Sequence, residues 1–213
     1  MHRIRRSLRE DGIYIFGTRV INYIFGVIRN RLISRKLGVE KISIGPRAHL
    51  RGLSFVQMGN DFSAGDGLWL EAITKYNDQT FSPQIVIGKH VRASHFVHIA
   101  AANFIEIGDD VLLGSKVIIA DHNHGQYSKV HTSPLIAPTS RPLDDNRRVV
   151  IGRNVWLADG VVVTAGSTIG EGSVIGANSV VTGNIPPFSL ASGIPAKVLK
   201  TFDFDTAKWS NIE

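Results

Sequence analysis

Cysteine is absent from this sequence of 213 residues, which excludes a disulfide framework, a thiol nucleophile and a cysteine-ligated metal or iron–sulfur site. Aromatic residues are also scarce, at 8% of the chain. The rest of the composition, 43% hydrophobic and 20% charged, is ordinary for a soluble globular protein and excludes a disordered or fibrous class. The length suffices for one domain with a real core, or for one domain with an appendage.

The formal net charge of +6 by itself invites a nucleic-acid interpretation. The charge is unevenly distributed, however. Residues 1–38 hold nine basic and two acidic residues, a sum of +7, whereas residues 39–213 hold fifteen basic and sixteen acidic residues, a sum of −1. Because the main body is near neutral, we expect no nucleic-acid partner.

The basic segment predicts a helix that is mostly apolar. A narrow polar stripe follows from four residues at spacings of three and four: Arg19, Asn22, Gly26 and Arg29. The apolar run at 13–28 has 16 residues and contains an arginine, so it is shorter than the roughly 20 apolar residues of a spanning helix. A cleaved signal peptide is not expected, because acidic residues interrupt the charged start and no small-residue cleavage pattern follows.

Beyond residue 40, aliphatic and small residues follow a period of six. The aliphatic position is filled by Ile44, Leu50, Met58, Ala64, Ile87, Ala93, Ile99, Ile107, Leu113, Ile119, Ile151, Leu157, Val163, Ile169, Ile175 and Val181. The next residue is glycine in nine of these sixteen cases. Neither a helix nor an alternating strand has this period, which suits a chain that turns a corner every six residues.

This period predicts a triangular solenoid, in which three short strands make one coil and stack on the next coils as parallel sheets. The aliphatic residue is expected to point into the core, and the small residue after it to let the backbone turn without a clash. The period breaks in four places, between Leu50 and Met58, over about 70–86, between Ile99 and Ile107, and over 121–150. We expect loops at these breaks.

Three parts of the chain are predicted. Residues 1–38 are a basic amphipathic helical segment, 39–186 are the β-helix with an active-site loop at 121–150, and 187–213 are a C-terminal cap or tail. Pro186 and Pro187 are expected to stop the strand ladder. The helical segment either caps the open end of the first coil or attaches to an anionic membrane surface.

An ordered series of motifs occupies roughly residues 85–200. It comprises Asp121-His122 at the start of the longest break, I-G-R-N-V-W at 151–156, G-A-N-S-V-V-T at 176–182, I-P-P at 185–187 and G-I-P-A-K-V at 193–198. This series resembles the acetyltransferases of the hexapeptide-repeat family, whose fold is a left-handed parallel β-helix. It is most similar to the galactoside and maltose O-acetyltransferases and to the enzymes that acetylate surface polysaccharides.

The resemblance implies a role for each matching residue. His122 matches the general base that deprotonates an acceptor hydroxyl for direct attack on acetyl-CoA, and the Asp159 backbone N–H matches an oxyanion donor. Trp156 matches an aromatic residue of the acyl and acceptor cleft. The remaining matches are Ala158, Ala177 and Thr182 along the CoA arm, Lys197 and Lys200 near its phosphates, and His95, His98 and His124 toward the acceptor. Asp144 and Asp145 are candidates to orient His122.

The resemblance also implies a homotrimer with active sites between subunits, and no metal. The predicted enzyme acetylates a sugar hydroxyl, of a surface polysaccharide or a lipid-linked unit, and is cytoplasmic or peripheral on the inner face of the membrane. The alternatives are an amino-sugar or antibiotic acetyltransferase of the same fold, a histidine-ligated zinc enzyme resembling carbonic anhydrase, and a non-catalytic trimeric scaffold.

Overall fold

The structure is a computed structural model that describes residues 2–127, 131–144 and 147–212, with side chains left undescribed at 2–17, 19 and 22. It opens with one long helix, α1, at His2–Leu37, which confirms the helix predicted for the basic segment. Across the described residues, no helix combines the length and the apolar run that crossing a membrane requires.

The last turns of α1 cover the open end of the first coil. Ile33 is buried there, and Arg29 Nη2 donates hydrogen bonds to the carbonyl oxygens of Ile44 and Gly45, the second at 2.7 Å. The helix stops at Gly38, whose φ of 67° is the left-handed value typical of the residue that follows a helix. This end of α1 is therefore a cap on the β-helix.

Further back along α1, eight large apolar side chains are exposed: Val20, Ile21, Tyr23, Ile24, Phe25, Val27, Ile28 and Leu32. They occupy most positions of the helix surface over 20–32, so the exposed apolar surface of this stretch is broad.

The rest of the described chain is built from short strands. In chain order they are β1 (Ile42–Ile44), β2 (His49–Arg51), β3 (Val56–Met58), β4 (Phe62–Ala64), β5 (Trp69–Ala72), β6 (Lys75–Tyr76), β7 (Gln79–Thr80), β8 (Gln84–Ile87), β9 (Arg92–Ala93), β10 (His98–Ala101), β11 (Phe104–Ile107), β12 (Leu112–Leu113), β13 (Ile118–Ala120), β14 (Asn123–His124), β15 (Leu143–Asp144), β16 (Val149–Ile151), β17 (Trp156–Leu157), β18 (Val162–Val163), β19 (Thr168–Ile169), β20 (Val174–Ile175), β21 (Val180–Val181), β22 (Asn184–Ile185), β23 (Ser189–Gly193), β24 (Ala196–Asp203) and β25 (Lys208–Asn211). Two 3-10 turns, at Leu53–Phe55 and Pro138–Ser140, interrupt the strands.

Three sheets form the sides of a triangular solenoid. Sheet A has the order β1-β4-β9-β12-β17-β20-β23-β24-β25, sheet B the order β2-β5-β10-β13-β18-β21, and sheet C the order β3-β8-β11-β16-β19-β22. Each coil runs from A to B to C, and its strands pair in parallel with the next coil. The predicted β-helix is confirmed.

Each sheet contributes one column of inward side chains in register. Column A is Ile44, Ala64, Ala93, Leu113, Leu157, Ile175 and Ala191; column B is Leu50, Leu70, Ile99, Ile119, Val163 and Val181; column C is Met58, Ile87, Ile107, Ile151, Ile169 and Ile185. All sixteen predicted core residues stand in these columns, and all but Leu50 are buried. A buried aliphatic side chain contributes roughly 1.5–3 kcal/mol, so the columns hold the coils together.

The three corners of the triangle differ in regularity. Corner AB joins sheet A to sheet B, corner BC joins sheet B to sheet C, and corner CA joins sheet C to sheet A of the next coil. From one inward residue to the next, the chain advances by six residues at every described corner AB and every described corner CA, as from Leu113 to Ile119. Across corner BC the advance is 8 (Leu50 to Met58), 17 (Leu70 to Ile87), 8 (Ile99 to Ile107), 32 (Ile119 to Ile151), 6 (Val163 to Ile169) and 4 (Val181 to Ile185). All four predicted breaks therefore lie at corner BC. The second begins later than predicted, because β5 is a regular strand up to Ala72.

Corners AB and CA share one backbone feature. The third residue after the inward residue has a positive φ in twelve cases: Arg47, Gly67, Phe96, Lys116, Gly160 and Asn178 at corner AB, and Asp61, His90, Asp110, Asn154, Gly172 and Phe188 at corner CA. The small residue directly after the inward one has another role. A Cβ on Gly108 would lie 2.6 Å from the backbone nitrogen of Arg153 in the next coil. The small residue thus permits close stacking of the coils, and the positive-φ position of the turn follows two residues later.

The chain passes Pro186 and Pro187 without leaving the β-helix. β23 pairs in parallel with β20 and places Ala191 in column A. The prediction that the prolines stop the ladder is wrong, because they lie in the turn between β22 and β23, outside the paired strands. After β23 the chain reverses, and β24 and β25 add two antiparallel strands to the end of sheet A.

Candidate active site

His122 lies at corner BC, two residues after β13, at the start of the longest insertion. Its Nδ1 is 3.0 Å from Oδ1 of Asp121, and the His122 side chain is only 12% exposed. The preceding residue, Asp121, is fully buried. The predicted base therefore stands on rigid scaffold, because its neighbour is anchored in the last turn of a regular coil.

The Asp121 carboxylate accepts four hydrogen bonds. Oδ1 accepts from Ala102 N–H at 2.8 Å as well as from His122, and Oδ2 accepts from Asn103 and Phe104 N–H at 2.8 and 2.7 Å. Three backbone N–H groups donate to this buried carboxylate, so it acts as an acceptor and Nδ1 of His122 carries the proton of their contact. In this tautomer Nε2 presents a lone pair, which is what a general base needs.

The carboxylate in contact with His122 is that of Asp121, which was not among the predicted candidates Asp144 and Asp145. Asp144 belongs to β15, where its backbone pairs with Asn123 in β14, and Asp145 lies outside the described residues. The sequence signal for Asp121 was the Asp-His pair itself, placed where a regular coil gives way to a loop.

Two insertions of corner BC meet close to His122. Gln79, in the β6–β7 hairpin, donates to Leu143 O at 3.2 Å and accepts from Leu143 N–H at 2.7 Å. In the same hairpin, the Tyr76 hydroxyl donates to Thr139 O at 2.9 Å and lies 3.2 Å from Nδ1 of His124. His124 is thus held by the other insertion. Sequence reasoning missed Tyr76 and Gln79, because the hairpin carries no repeat pattern.

His98, predicted for the acceptor site, lies on β10 in the coil before His122. Its pKa is lowered, first because burial disfavours the imidazolium; the Glu71 carboxylate opposes this shift, and His122 and His49 add to it. These interactions put His98 in the same electrostatic neighbourhood as the predicted base.

His95, predicted alongside His98, lies at a different corner. It stands at corner AB, between β9 and β10, where its Nδ1 accepts a hydrogen bond from Asp66 N–H at 3.1 Å. The structure therefore does not bring His95 to His122 within one chain.

A second group of predicted residues gathers at or beside corner AB: Trp156, Ala158, Asp159, Ala177 and Lys197. Trp156 is on the outer face of sheet A and 49% exposed. The Asp159 carboxylate accepts from Ser115 N–H at 2.6 Å, which ties this turn to the coil before it. Lys197 pairs with Ser192, one coil after Ala177.

Two predicted CoA residues lie away from this group. Thr182 follows β21 and stands at corner BC. Lys200 is further along β24, opposite Leu190 in sheet A.

Corners AB and BC of one chain are separated by the width of sheet B. One chain therefore carries the predicted base at one corner and the predicted oxyanion donor at another. Among the described residues, no three or more histidine, aspartate or glutamate side chains are grouped so as to hold a metal ion.

A three-sided parallel β-helix built on a six-residue period defines the class of hexapeptide-repeat solenoids. A family model described as bacterial transferase hexapeptide (six repeats) matches residues 148–183. The chain is also 39% identical over 163 residues to WbbJ of Escherichia coli strain K12, described as a lipopolysaccharide biosynthesis O-acetyl transferase. That match covers 76% of this chain and 79% of the relative.

Solved structures share the fold. AntD, an N-acyltransferase from Bacillus cereus in complex with dTDP and 3-hydroxybutyryl-CoA, has a TM-score of 0.64 at 16% identity, covering 84% of this chain and 90% of that one. A hexapeptide-repeat acetyltransferase of Vibrio cholerae complexed with acetyl-CoA has a TM-score of 0.53 at 22% identity, covering 95% and 85%. The β-helix is therefore of the left-handed type. The chain belongs to the hexapeptide-repeat acetyltransferase family.

Proposed function

We propose that the protein transfers acetyl from acetyl-CoA to a hydroxyl of a sugar in a surface or lipid-linked polysaccharide. The observation that carries the proposal is the contact between His122 Nδ1 and the buried Asp121 carboxylate, because it leaves Nε2 free to accept a proton. The substrate class is supported by the 39% identity to a relative named for lipopolysaccharide O-acetylation.

The reaction follows from the tautomer of His122. Nε2 takes the proton of the acceptor hydroxyl while that oxygen attacks the thioester carbonyl, which gives a tetrahedral oxyanion. The Asp159 backbone N–H donates to this oxyanion. Collapse forms the sugar ester and breaks the carbon–sulfur bond, and the imidazolium returns its proton to the CoA thiolate. Asp121 stays ionised throughout and stabilises the imidazolium.

Substitution of His122 by alanine tests the base. We expect acetyl transfer to purified saccharides to be lost, with CoA affinity nearly unchanged, since the ring contributes the proton acceptor and no contact with the nucleotide. His90→Ala is the matched control, because His90 Nδ1 also contacts an aspartate, Asp110, at 3.1 Å but on an exposed corner. Retained turnover in His122→Ala refutes the assignment.

The separation of the two corners supports a homotrimer in which corner AB of one subunit completes the site at corner BC of its neighbour. Complementation tests this. His122→Ala and Asp159→Pro, which removes the backbone donor, are each expected to be inactive alone. Co-expressed in equal amounts, they should regain about a quarter of wild-type activity, because random mixing leaves that share of interfaces intact. No recovery would show that each chain acts alone.

We also propose that α1 attaches the enzyme to an anionic membrane surface. The eight exposed apolar side chains over 20–32 are flanked by the exposed Arg31, Arg35 and Lys36, in a segment whose sum is +7. Each basic residue near such a surface contributes about 1 kcal/mol, and the apolar side chains insert into the interface.

Co-sedimentation with vesicles tests this attachment. The full chain should sediment with vesicles containing phosphatidylglycerol and less with pure phosphatidylcholine. Ile24→Glu with Phe25→Glu should abolish sedimentation, whereas Leu135→Glu, at a 94% exposed apolar residue of the long loop, should not. Equal partitioning of the variants would contradict the proposal.

A further inference from the structure

The outer face of sheet B carries an aromatic row that ends beside the active site. His49, Trp69, His98 and Ile118 occupy equivalent positions on four successive strands. The ring centroids of His49 and Trp69 are 4.7 Å apart, and those of Trp69 and His98 are 4.9 Å apart. Trp69 remains 43% exposed. The three rings form a continuous row, and Ile118 occupies the equivalent position on the next strand.

A second outward row runs beside the first and has a different character. It consists of Arg51, Glu71, Ala100 and Ala120, in register on the same four strands. Glu71 is half-buried; one of its oxygens accepts from Trp69 Nε1 at 2.8 Å and the other from Arg51 Nη1 at 3.1 Å. The two alanines carry only methyl groups, Ala100 buried at 5% exposure and Ala120 partly exposed, so the row is a low floor with a carboxylate at one end.

The other end of this floor is the candidate base. His122 follows Ala120 by two residues, and strand spacing of about 4.8 Å puts the Glu71 and Ala120 positions roughly 10 Å apart. His98 stands next to Trp69 in the register of sheet B, and its pKa responds to both the Glu71 carboxylate and His122, which fits a shared region. The length of the floor suits one sugar ring.

We propose that this floor, walled by Trp69 and His98 and bounded by Glu71 and His122, is a subsite for the pyranose ring of the acceptor. The two Glu71 oxygens have lone pairs left after the bonds from Trp69 and Arg51, and they accept from two neighbouring hydroxyls. A third hydroxyl of the same ring is thereby directed to Nε2 of His122. Glu71 thus determines which hydroxyl is acetylated. This inference rests on the proposed function, since the ring must be the acceptor.

Saturation-transfer NMR on the full chain with CoA tests the subsite without requiring turnover. The probes are the methyl pyranosides of glucose, galactose, mannose, rhamnose and N-acetylglucosamine. We expect saturation of ring protons in at least one probe, with affinity about tenfold weaker in Glu71→Gln, because a hydrogen bond to a charged acceptor is lost. Trp69→Phe, which keeps a ring but not the donor that orients Glu71, should give a smaller loss.

Glu171→Gln is the matched control, because Glu171 accepts from Arg153 Nε in a similar ion pair at corner CA. It should leave binding unchanged. Binding that is equal in the wild type and Glu71→Gln, or absent for all five probes, overturns the subsite. Binding that is lost in Glu71→Gln while the wild type acetylates none of the bound probes supports the subsite and contradicts the proposed acetyl transfer.

Discussion

Corner AB and corner BC are turns of the same solenoid, yet corner AB has a constant length and corner BC has a variable one. Corner AB advances by six residues in every described coil and repeats one positive-φ position, as at Lys116 and Asn178. Corner BC advances by between 4 and 32 residues and holds His122. Stacking requires regular turns on enough corners to keep the columns in register, and one corner is then free to vary.

The two corners also divide the proposed chemistry. Corner AB repeats the same backbone turn in each stacked coil and has one tryptophan beside it, which suits a long, extended molecule such as the CoA arm. Corner BC presents the base, the hairpin at 75–80 and the long loop, which suits an acceptor whose shape differs between enzymes. In this proposal the regular corner AB binds the CoA that such enzymes share, and the variable corner BC binds the acceptor that differs between them.

The largest expected effect is on kcat, from a substitution of the buried Asp121 at corner BC. Asp121→Asn should lower kcat about 10³-fold, because the amide no longer enforces the Nδ1–H tautomer or stabilises the imidazolium. Steady-state acetyl transfer with CoA affinity measured in parallel checks this. Asp110→Asn, in the exposed pair with His90, should change little. An unchanged kcat in Asp121→Asn would show that the buried carboxylate is only structural.

Insertion of Gly-Ser at each of the two corners tests directly whether corner AB is more constrained than corner BC. After Lys116 at corner AB it should cost about 2–3 kcal/mol, since coil-to-coil bonds such as Lys116 N–H to His95 O, at 2.8 Å, are lost. Between Ser133 and Pro134 at corner BC the cost should stay within about 0.5 kcal/mol. Chemical denaturation measures both. Equal costs would mean that corner BC is as constrained as corner AB.

A substitution at the repeated turn position has a smaller expected effect. Asn178 has a φ of 57°, and a β-branched side chain resists that conformation, so Asn178→Val should cost about 1–2 kcal/mol. Asn178→Gly should be close to neutral, and Thr139→Val in the long loop should stay within about 0.5 kcal/mol. Thermal unfolding of the three variants separates them; a harmless Asn178→Val would show that the turn tolerates any residue.

The smallest effect concerns the proton of His98. Its NMR titration midpoint should lie below 6.5, because its environment disfavours the imidazolium. Glu71→Gln should lower the midpoint further, since the opposing carboxylate charge is lost. The protonated form is therefore populated only as the pH falls through that lowered value. A midpoint unaffected by Glu71→Gln would place the two side chains too far apart to share a site.

The period of six was enough to predict the β-helix, because the inward aliphatic residue must recur once per side of the triangle. It did not reveal which corner carries each break, since a count along the chain does not distinguish three equivalent turns. Leu70 was missed for this reason, as it stands alone before an insertion of corner BC. Ile185 was missed because it follows Val181 by four residues instead of six, and Ala191 because two prolines precede it.

The candidate site was predicted in part. His122 was recognisable because the Asp-His pair begins the longest break. Its partner Asp121 depends on backbone N–H groups of the previous coil, and the Tyr76 contact depends on two insertions 48 residues apart. Such contacts join residues that are far apart in the sequence, so no local sequence pattern predicts them.

A sheet of parallel strands can accept further strands at both edges, and sheet A is closed differently at each of its two edges. Arg29 and Asn30 of α1 donate to Ile44 O, a carbonyl at the start of the ladder. At the far end, β24 and β25 reverse the strand direction, so an incoming parallel strand meets the wrong pattern of donors and acceptors. Fibre growth by addition of parallel strands to sheet A is thereby disfavoured.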